Sequence, residues 1–184
     1  MKLRFRTLTL IFILFSAGCS SITGVPTEDP VPDESTIDSK KNTTINVSEL
    51  ESQILAEINN ERTSNGLSRL RAVDYLNYTS SVQSELMAEK GYAAHDYPDK
   101  EFSFSEQMDR WNINCGTGYE NIAYYEAATE EIENLSGLVN GVVTGWELSD
   151  EHREAMLSKE ITVHGIGVYA VSSNIYVTHQ MCER

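Results

Sequence analysis

The chain has 184 residues, of which 14 are Lys or Arg and 28 are Asp or Glu, giving a formal charge of −14 at pH 7. That acidic excess argues against DNA or RNA as a partner, because counterion-release binding to phosphates needs a basic surface. With 40% hydrophobic residues and three cysteines, the length suits one domain with appendages, whose core forms without a disulfide framework.

Lys2, Arg4 and Arg6 precede an apolar run from Leu8 to Phe15, broken only by Thr9, and Ser16-Ala17-Gly18-Cys19 follows at once. This is the layout of a signal peptide over residues 1–18, and the run is too short to cross about 30 Å of hydrocarbon. The small residues before Cys19 resemble a prokaryotic lipobox. That resemblance implies cleavage after Gly18 and lipid on Cys19; an ordinary cleavage site beside an incidental cysteine is the alternative. Cleavage removes Lys2, Arg4 and Arg6 and leaves a still more acidic protein, a composition suited either to high salt, as in a halophile, or to an extracellular protein in ordinary salt.

Ser20 to Asn46 is dominated by Pro, Thr, Ser, Asp and Glu with isolated aliphatics, which cannot bury enough apolar surface to offset ordering entropy. Residues 19–46 therefore read as a flexible acidic linker with a reach of about 30 Å. Asn42, Asn46, Asn77 and Asn134 each open an N-glycosylation acceptor triplet.

The globular part, residues 47–184, opens with Ser48-Glu49-Leu50-Glu51, a capping-box spacing that starts a first helix. Leu50, Ile54 and Ile58 share its apolar face, and Asn65-Gly66 stops it. A second helix is expected from about Asp74 to Lys90, burying Leu76, Val82 and Leu86 and ending at Gly91. Ser103-Phe104-Ser105-Glu106 repeats the capping signal for a short third helix with a Phe104, Met108 and Trp111 stripe. Thr129 can cap a fourth, whose Ile132, Leu135, Val139, Val142 and Trp146 recur at helical spacing. Ile161–Ala170 and Ile175–Met181 are rich in β-branched and aromatic residues around Val171-Ser172-Ser173-Asn174, the pattern of an antiparallel hairpin. Helices followed by strands without βα alternation indicate an α+β domain.

Several phrases occur in one family's order. They are Ile58-Asn59-Asn60-Glu61-Arg62, Met87-Ala88-Glu89-Lys90-Gly91-Tyr92 leading to His95, and Tyr119-Glu120-Asn121-Ile122-Ala123. Trp146 with His152-Arg153-Glu154-Ala155-Met156-Leu157 follows, then Gly165-Ile166-Gly167-Val168-Tyr169, then Tyr176-Val177-Thr178-His179-Gln180. Over residues 49–182 the chain resembles the CAP superfamily of cysteine-rich secretory proteins, antigen 5 and plant pathogenesis-related proteins, also called the SCP domain, in its prokaryotic form. The resemblance implies a CAP-type α-β-α sandwich, with helices packed around a small antiparallel sheet, and carries His95, Glu120 and His152 to the family's cleft. Three positions depart from the pattern. Tyr119 and Glu151 replace glycines, Tyr119 being expected to crowd a turn, and Ser149 stands where plant and animal members have a second cleft glutamate.

Two imidazoles and a carboxylate can ligate a divalent metal such as zinc, exchange protons, or form a hydrogen-bonded network that orders the cleft. On the metal reading His95 and His152 are the ligands, though no cofactor is required by the other readings. Neither Ser149 nor Ser105 lies in a nucleophile elbow. His164 and His179 read as packed or surface strand residues, Trp146 as core, and Tyr124 and Tyr125 as cleft-wall or packing aromatics. The expectation is a secreted, lipid-anchored CAP domain on the outer face of the membrane, whose His95, Glu120, Ser149 and His152 cleft binds a small ligand, lipid, peptide or metal without established turnover. The alternative is a metal-dependent, peptidase-like hydrolase with Glu120 as base. With Cys19 given to lipid, Cys115 and Cys182 remain in an oxidising compartment, and the family fold places Cys182 beneath the Glu120 segment, so the two are expected to pair, two free buried thiols being the alternative.

Overall fold

The computed structural model describes residues 45–98, 103–110, 112–127 and 134–184. The expected signal segment, Cys19, the expected linker as far as Thr44, the Asn42 triplet, Trp111, Thr129 and Ile132 lie outside the described residues. The described elements are α1 (Val47–Ser64), β1 (Arg71–Ala72), α2 (Asp74–Lys90), α3 (Phe104–Arg110), β2 (Gly118–Glu126), α4 (Leu135–Glu147), α5 (Asp150–Met156), β3 (Val163–Val171) and β4 (Asn174–Cys182).

The four strands form one sheet in the order β1-β3-β4-β2. β3, β4 and β2 are antiparallel, and the two-residue β1 runs parallel to β3. The sheet is therefore mixed at one edge rather than wholly antiparallel. The expected hairpin forms around Ser172-Ser173, with Ser172 at φ 55°.

Side chains alternate across the sheet. Ile166, Val168, Ile175 and Val177 point to one face and pack with Leu50, Ile54 and Ile58 of α1 and Leu138, Val142 and Trp146 of α4. Thr178, Gln180 and Cys182 point to the other, which α2 covers. The result is the expected α-β-α sandwich.

α1 begins earlier than the Ser48 signal. Asn46 Oδ1 accepts from the Glu49 amide at 3.2 Å, and Asn46 Nδ2 donates to Glu49 Oε2 at 3.2 Å, so Asn46, two residues upstream of Ser48, is the N-cap. At its far end Asn59 exchanges hydrogen bonds with the backbone of Leu70. Buried Arg62 donates to the carbonyls of Ser68, Met156 and Ser158. These family-signature residues hold the loop after α1 and the end of α5.

α2 spans the expected residues and ends on Gly91 at φ +75°. Its buried face differs: Leu76, Thr79, Ser80, Gln83, Ser84 and Met87 are buried, while Val82 and Leu86 are half-buried. The reason lies on β3. A Cβ at Gly165 would sit 2.3 Å from the Asn77 amide nitrogen, and one at Gly167 would sit 2.1 Å from that of Ser81. The helix backbone rests on bare glycine, so small hydroxyl side chains face the sheet, and Ser84 Oγ donates to the Gly167 carbonyl at 2.8 Å.

At the start of α3 the Ser103 amide donates to Glu106 Oε2 at 2.8 Å and the Glu106 amide donates to Ser103 Oγ at 3.4 Å, the expected capping box. The described part of the next helix starts at Leu135, capped by Asn134. Cys115 and Cys182 form a disulfide with Cα atoms 5.4 Å apart, tying the approach to β2 to the end of β4.

Candidate functional site

The site is built on β2, a strand not foreseen from the sequence pattern. Glu120 lies opposite Gln180 of β4, and the two side chains share the face covered by α2. Gln180 Nε2 donates to Glu120 Oε2 at 2.8 Å. The amide orientation this requires leaves Gln180 Oε1 to accept from the hydroxyl of Thr79 on α2. Thr79 and Gln180 are buried. The second carboxylate oxygen, Oε1, is 2.9 Å from His95 Nδ1. A carboxylate only accepts, so Nδ1 is the donor in that pair. The Glu120 side chain is 9% exposed and that of His95 is 50% exposed: a carboxylate fixed from the core presents an imidazole to the surface.

Asn121 turns to the opposite face and is buried. Its Nδ2 donates to the His152 carbonyl at 3.0 Å, fastening the first turn of α5 to β2. Successive residues of one strand thus hold the two histidine-bearing segments from opposite sides of the sheet edge. Burial lowers the His152 pKa, and the nearby His95 charge lowers it further, so its imidazole favours the neutral form. Trp146 is buried, donates from Nε1 to the Ile122 carbonyl at 2.9 Å, and stacks on His179. It is a core residue bracing the edge.

Ser149 occupies the N-cap position of α5 without a side-chain cap bond, and no hydrogen bond joins it to His95 or Glu120 among the described residues. Tyr124 is 48% exposed and packs on Tyr176 at 5.1 Å, whereas Tyr125 packs against the main core. Tyr119 lies within β2 and packs beside Leu70, Ala155, Ile161 and Met181; there is no turn for it to crowd. Asn77, the third sequon asparagine, accepts from the Ile166 amide through Oδ1 at 3.1 Å. Among the described residues no three His, Cys, Asp or Glu side chains converge as a metal-ion cluster.

Sequence reasoning missed Thr79 and Gln180 as the support of Glu120; only strand register and the facing helix bring them together. It also missed that His164 Nδ1 and His179 Nε2 meet at 3.2 Å inside the core. Burial lowers both, His164 to about 4 and His179 well below the usual histidine value, with Arg62 adding to each shift. A separate cavity of about 570 Å³ beside the disulfide is lined by Phe104, Met108, Asp109, Ile113 and Asn114 and includes none of the site residues.

An α-β-α sandwich whose edge strand presents a carboxylate to one flanking histidine and an asparagine to the other histidine's helix defines a CAP domain. The chain belongs to the cysteine-rich secretory protein family, whose family model matches residues 55–183. It is similar to the uncharacterised protein YkwD of Bacillus subtilis strain 168, 30% identical over 141 residues covering 74% of this chain and 50% of that protein. The chain thus spans about half the length of that relative.

Among solved structures, an outer surface protein from Borrelia burgdorferi matches with a TM-score of 0.63 at 17% identity, over 80% of this chain and 96% of that one. An extracellular SCP-domain protein from Bacillus anthracis matches with a TM-score of 0.58 at 21% identity, over 75% and 41%. NaASP2, solved with Zn2+, matches with a TM-score of 0.51 at 14% identity, over 83% of each chain. These likenesses show the fold. Among the described residues no helix is long and apolar enough to cross a membrane.

Proposed function

We propose that this protein is an extracellular CAP domain, held at the outer face of the membrane by lipid on Cys19, and that its His95, Glu120 and His152 cleft binds a ligand without turning it over. The observation that carries this reading is the fixed chain from Thr79 through Gln180 and Glu120 to His95. Binding sites gain affinity when polar groups are held in place before the ligand arrives, and here an exposed imidazole is anchored by buried partners. The same chain places one hydrogen bond on each oxygen of Glu120 and so fixes the orientation of the carboxylate. The surface and extracellular relatives and the signal-like N-terminus support the location.

The rival is a zinc hydrolase with His95 and His152 as ligands and Glu120 as base, suggested by the neighbour solved with Zn2+. Protein purified from its own host separates the two by mass spectrometry of bound organic molecules and by metal analysis. A stoichiometric organic species that His95→Ala loses is the expected result; equimolar zinc with chelator-sensitive peptide cleavage would overturn the binding reading. For anchoring, Cys19→Ser should release the protein from membranes, since a two-chain anchor contributes about 0.8 kcal/mol per buried methylene. Equal retention of both forms would refute the lipid anchor.

A further inference from the structure

Among the described residues β2 is the terminal strand of the sheet and pairs only with β4. In an antiparallel ladder, alternate residues turn both N–H and C=O toward the partner, and the residues between turn both away. The Ala127 amide donates to the Ser173 carbonyl at 2.8 Å, and the Glu183 amide to the Thr117 carbonyl at 2.8 Å. At both ends of the unbroken register the odd-numbered residues therefore face β4, and Glu120, Ile122 and Tyr124 turn their backbone groups outward. Trp146 supports this parity independently by donating to the Ile122 carbonyl. The remaining outward groups of these three residues have no protein hydrogen-bond partner among the described residues.

This edge, whose Ile122 carbonyl Trp146 already holds and whose other outward groups are unpaired among the described residues, coincides with the cleft. Glu120 carries His95, Ile122 packs with Tyr97 on the same side, and Asn121 holds the first turn of α5 on the other. An exposed strand edge is a template for a further strand. Where an extended peptide adds to such an edge, main-chain hydrogen bonds supply affinity and flanking side chains supply selectivity. The flanking charge here is negative: Glu126 at the end of β2 and Glu151 beside His152 are exposed, in a chain of net charge −14.

We infer that the cleft takes an extended peptide segment bearing Lys or Arg side chains, which adds to the sheet along Glu120, Ile122 and Tyr124 of β2. This rests on the ligand-binding reading above and names the class of ligand.

The probe is an end-capped octapeptide of alternating Lys and Val, titrated into the full chain and followed by calorimetry and amide NMR. Two comparison peptides are the same sequence N-methylated throughout, which keeps the charge and removes strand pairing, and an alternating Glu and Val octapeptide. The amides of Glu120, Ile122 and Tyr124 should shift with the first peptide, and both comparison peptides should bind at least tenfold more weakly. Tyr124→Pro should also weaken binding at least tenfold while the fold persists, because proline is tolerated where a strand N–H points away from the ladder. Tyr124→Ala keeps that N–H and should bind within a few-fold of the parent chain. Equal affinity for the N-methylated peptide, or no shift of the β2 amides at millimolar peptide, would overturn the inference. If an organic species is bound at His95 yet the peptide leaves β2 unshifted, the peptide class falls and ligand binding stands. If His95→Ala and Glu120→Gln bind the peptide as the parent does, with the β2 amides shifting, the edge holds peptide and the His/Glu cleft reading falls.

Discussion

Glu51 lies on α1 with its carboxylate against β3, where the Val168 amide donates to Oε1 at 2.9 Å. Burial raises its pKa to about 7, and that hydrogen bond offsets part of the rise. A raised carboxylate holds its proton more tightly when folded, so its contribution to stability is full below its ordinary value of 4.5 and is lost as the pH climbs through 7. Glu51→Gln keeps an acceptor for Val168 and removes the charge. Denaturant unfolding should show the variant more stable by roughly 1–3 kcal/mol at about pH 8, with the difference gone at about pH 4. His164 and His179 act with the opposite sign. Their pKa values are lowered, so their contribution is present above 6.5 and is lost as the pH falls toward 4. In the parent chain the one carboxylate offsets only part of the trend set by the two histidines. Between those limits the stability of Glu51→Gln should rise more steeply with pH than that of the parent by about one proton, or about 1.4 kcal/mol per pH unit. Parallel curves would mean that Glu51 is solvated.

The contact of α2 with β3 decides where Thr79 stands, and so whether Glu120 is held from behind. Two glycines allow it, because the nearest atoms to a Cβ at Gly165 or Gly167 belong to the α2 backbone and cannot rotate aside. Gly167→Ala should therefore cost at least about 3 kcal/mol of unfolding free energy, through displacement of the helix rather than of a side chain. Gly145 of α4 offers the contrast: a Cβ there meets nothing within 4 Å, so Gly145→Ala should stabilise by about 0.5–1 kcal/mol through helix propensity. Thermal melting of the two variants checks both, and similar midpoints would show that the helix can shift without cost. The same contact explains why an apolar-stripe reading misassigned Val82 and Leu86: hydrophobic periodicity finds faces that pack by side-chain volume, and this face packs by close backbone approach.

Across the whole molecule, the Cys115–Cys182 disulfide joins residues 67 apart in sequence and ties β4's last residue to the segment entering β2. In the chain-entropy model a loop of that length is worth about 4 kcal/mol. The Cys115→Ser, Cys182→Ser double variant should lose most of that in equilibrium unfolding. Because the bridge lies next to the Thr117–Glu183 pairing, amide exchange at Tyr119 and Glu183, which face across the β2–β4 ladder, should accelerate before that of the Val177 region. Uniform acceleration across the sheet would show a purely global effect.

Much of this protein was determined by local sequence. The capping residues, the stop at Gly91, the hairpin turn and the apolar faces of α1 and α4 follow from interactions within a few residues, which act before any tertiary contact exists. Recurrent phrases also marked His95, Glu120 and His152, though not what holds them. The β2 strand, with mixed burial and no clean alternation, could not be read from period; its pairing with β4 creates it. The support of Glu120 by Gln180 and Thr79, the hold of Asn121 on α5, the buried histidine pair and the outward edge of β2 were decided only by the tertiary structure. Each depends on sheet register, where a shift of one residue sends every side chain to the other face and exchanges the inward and outward backbone groups, and register is fixed by packing between segments far apart in the chain.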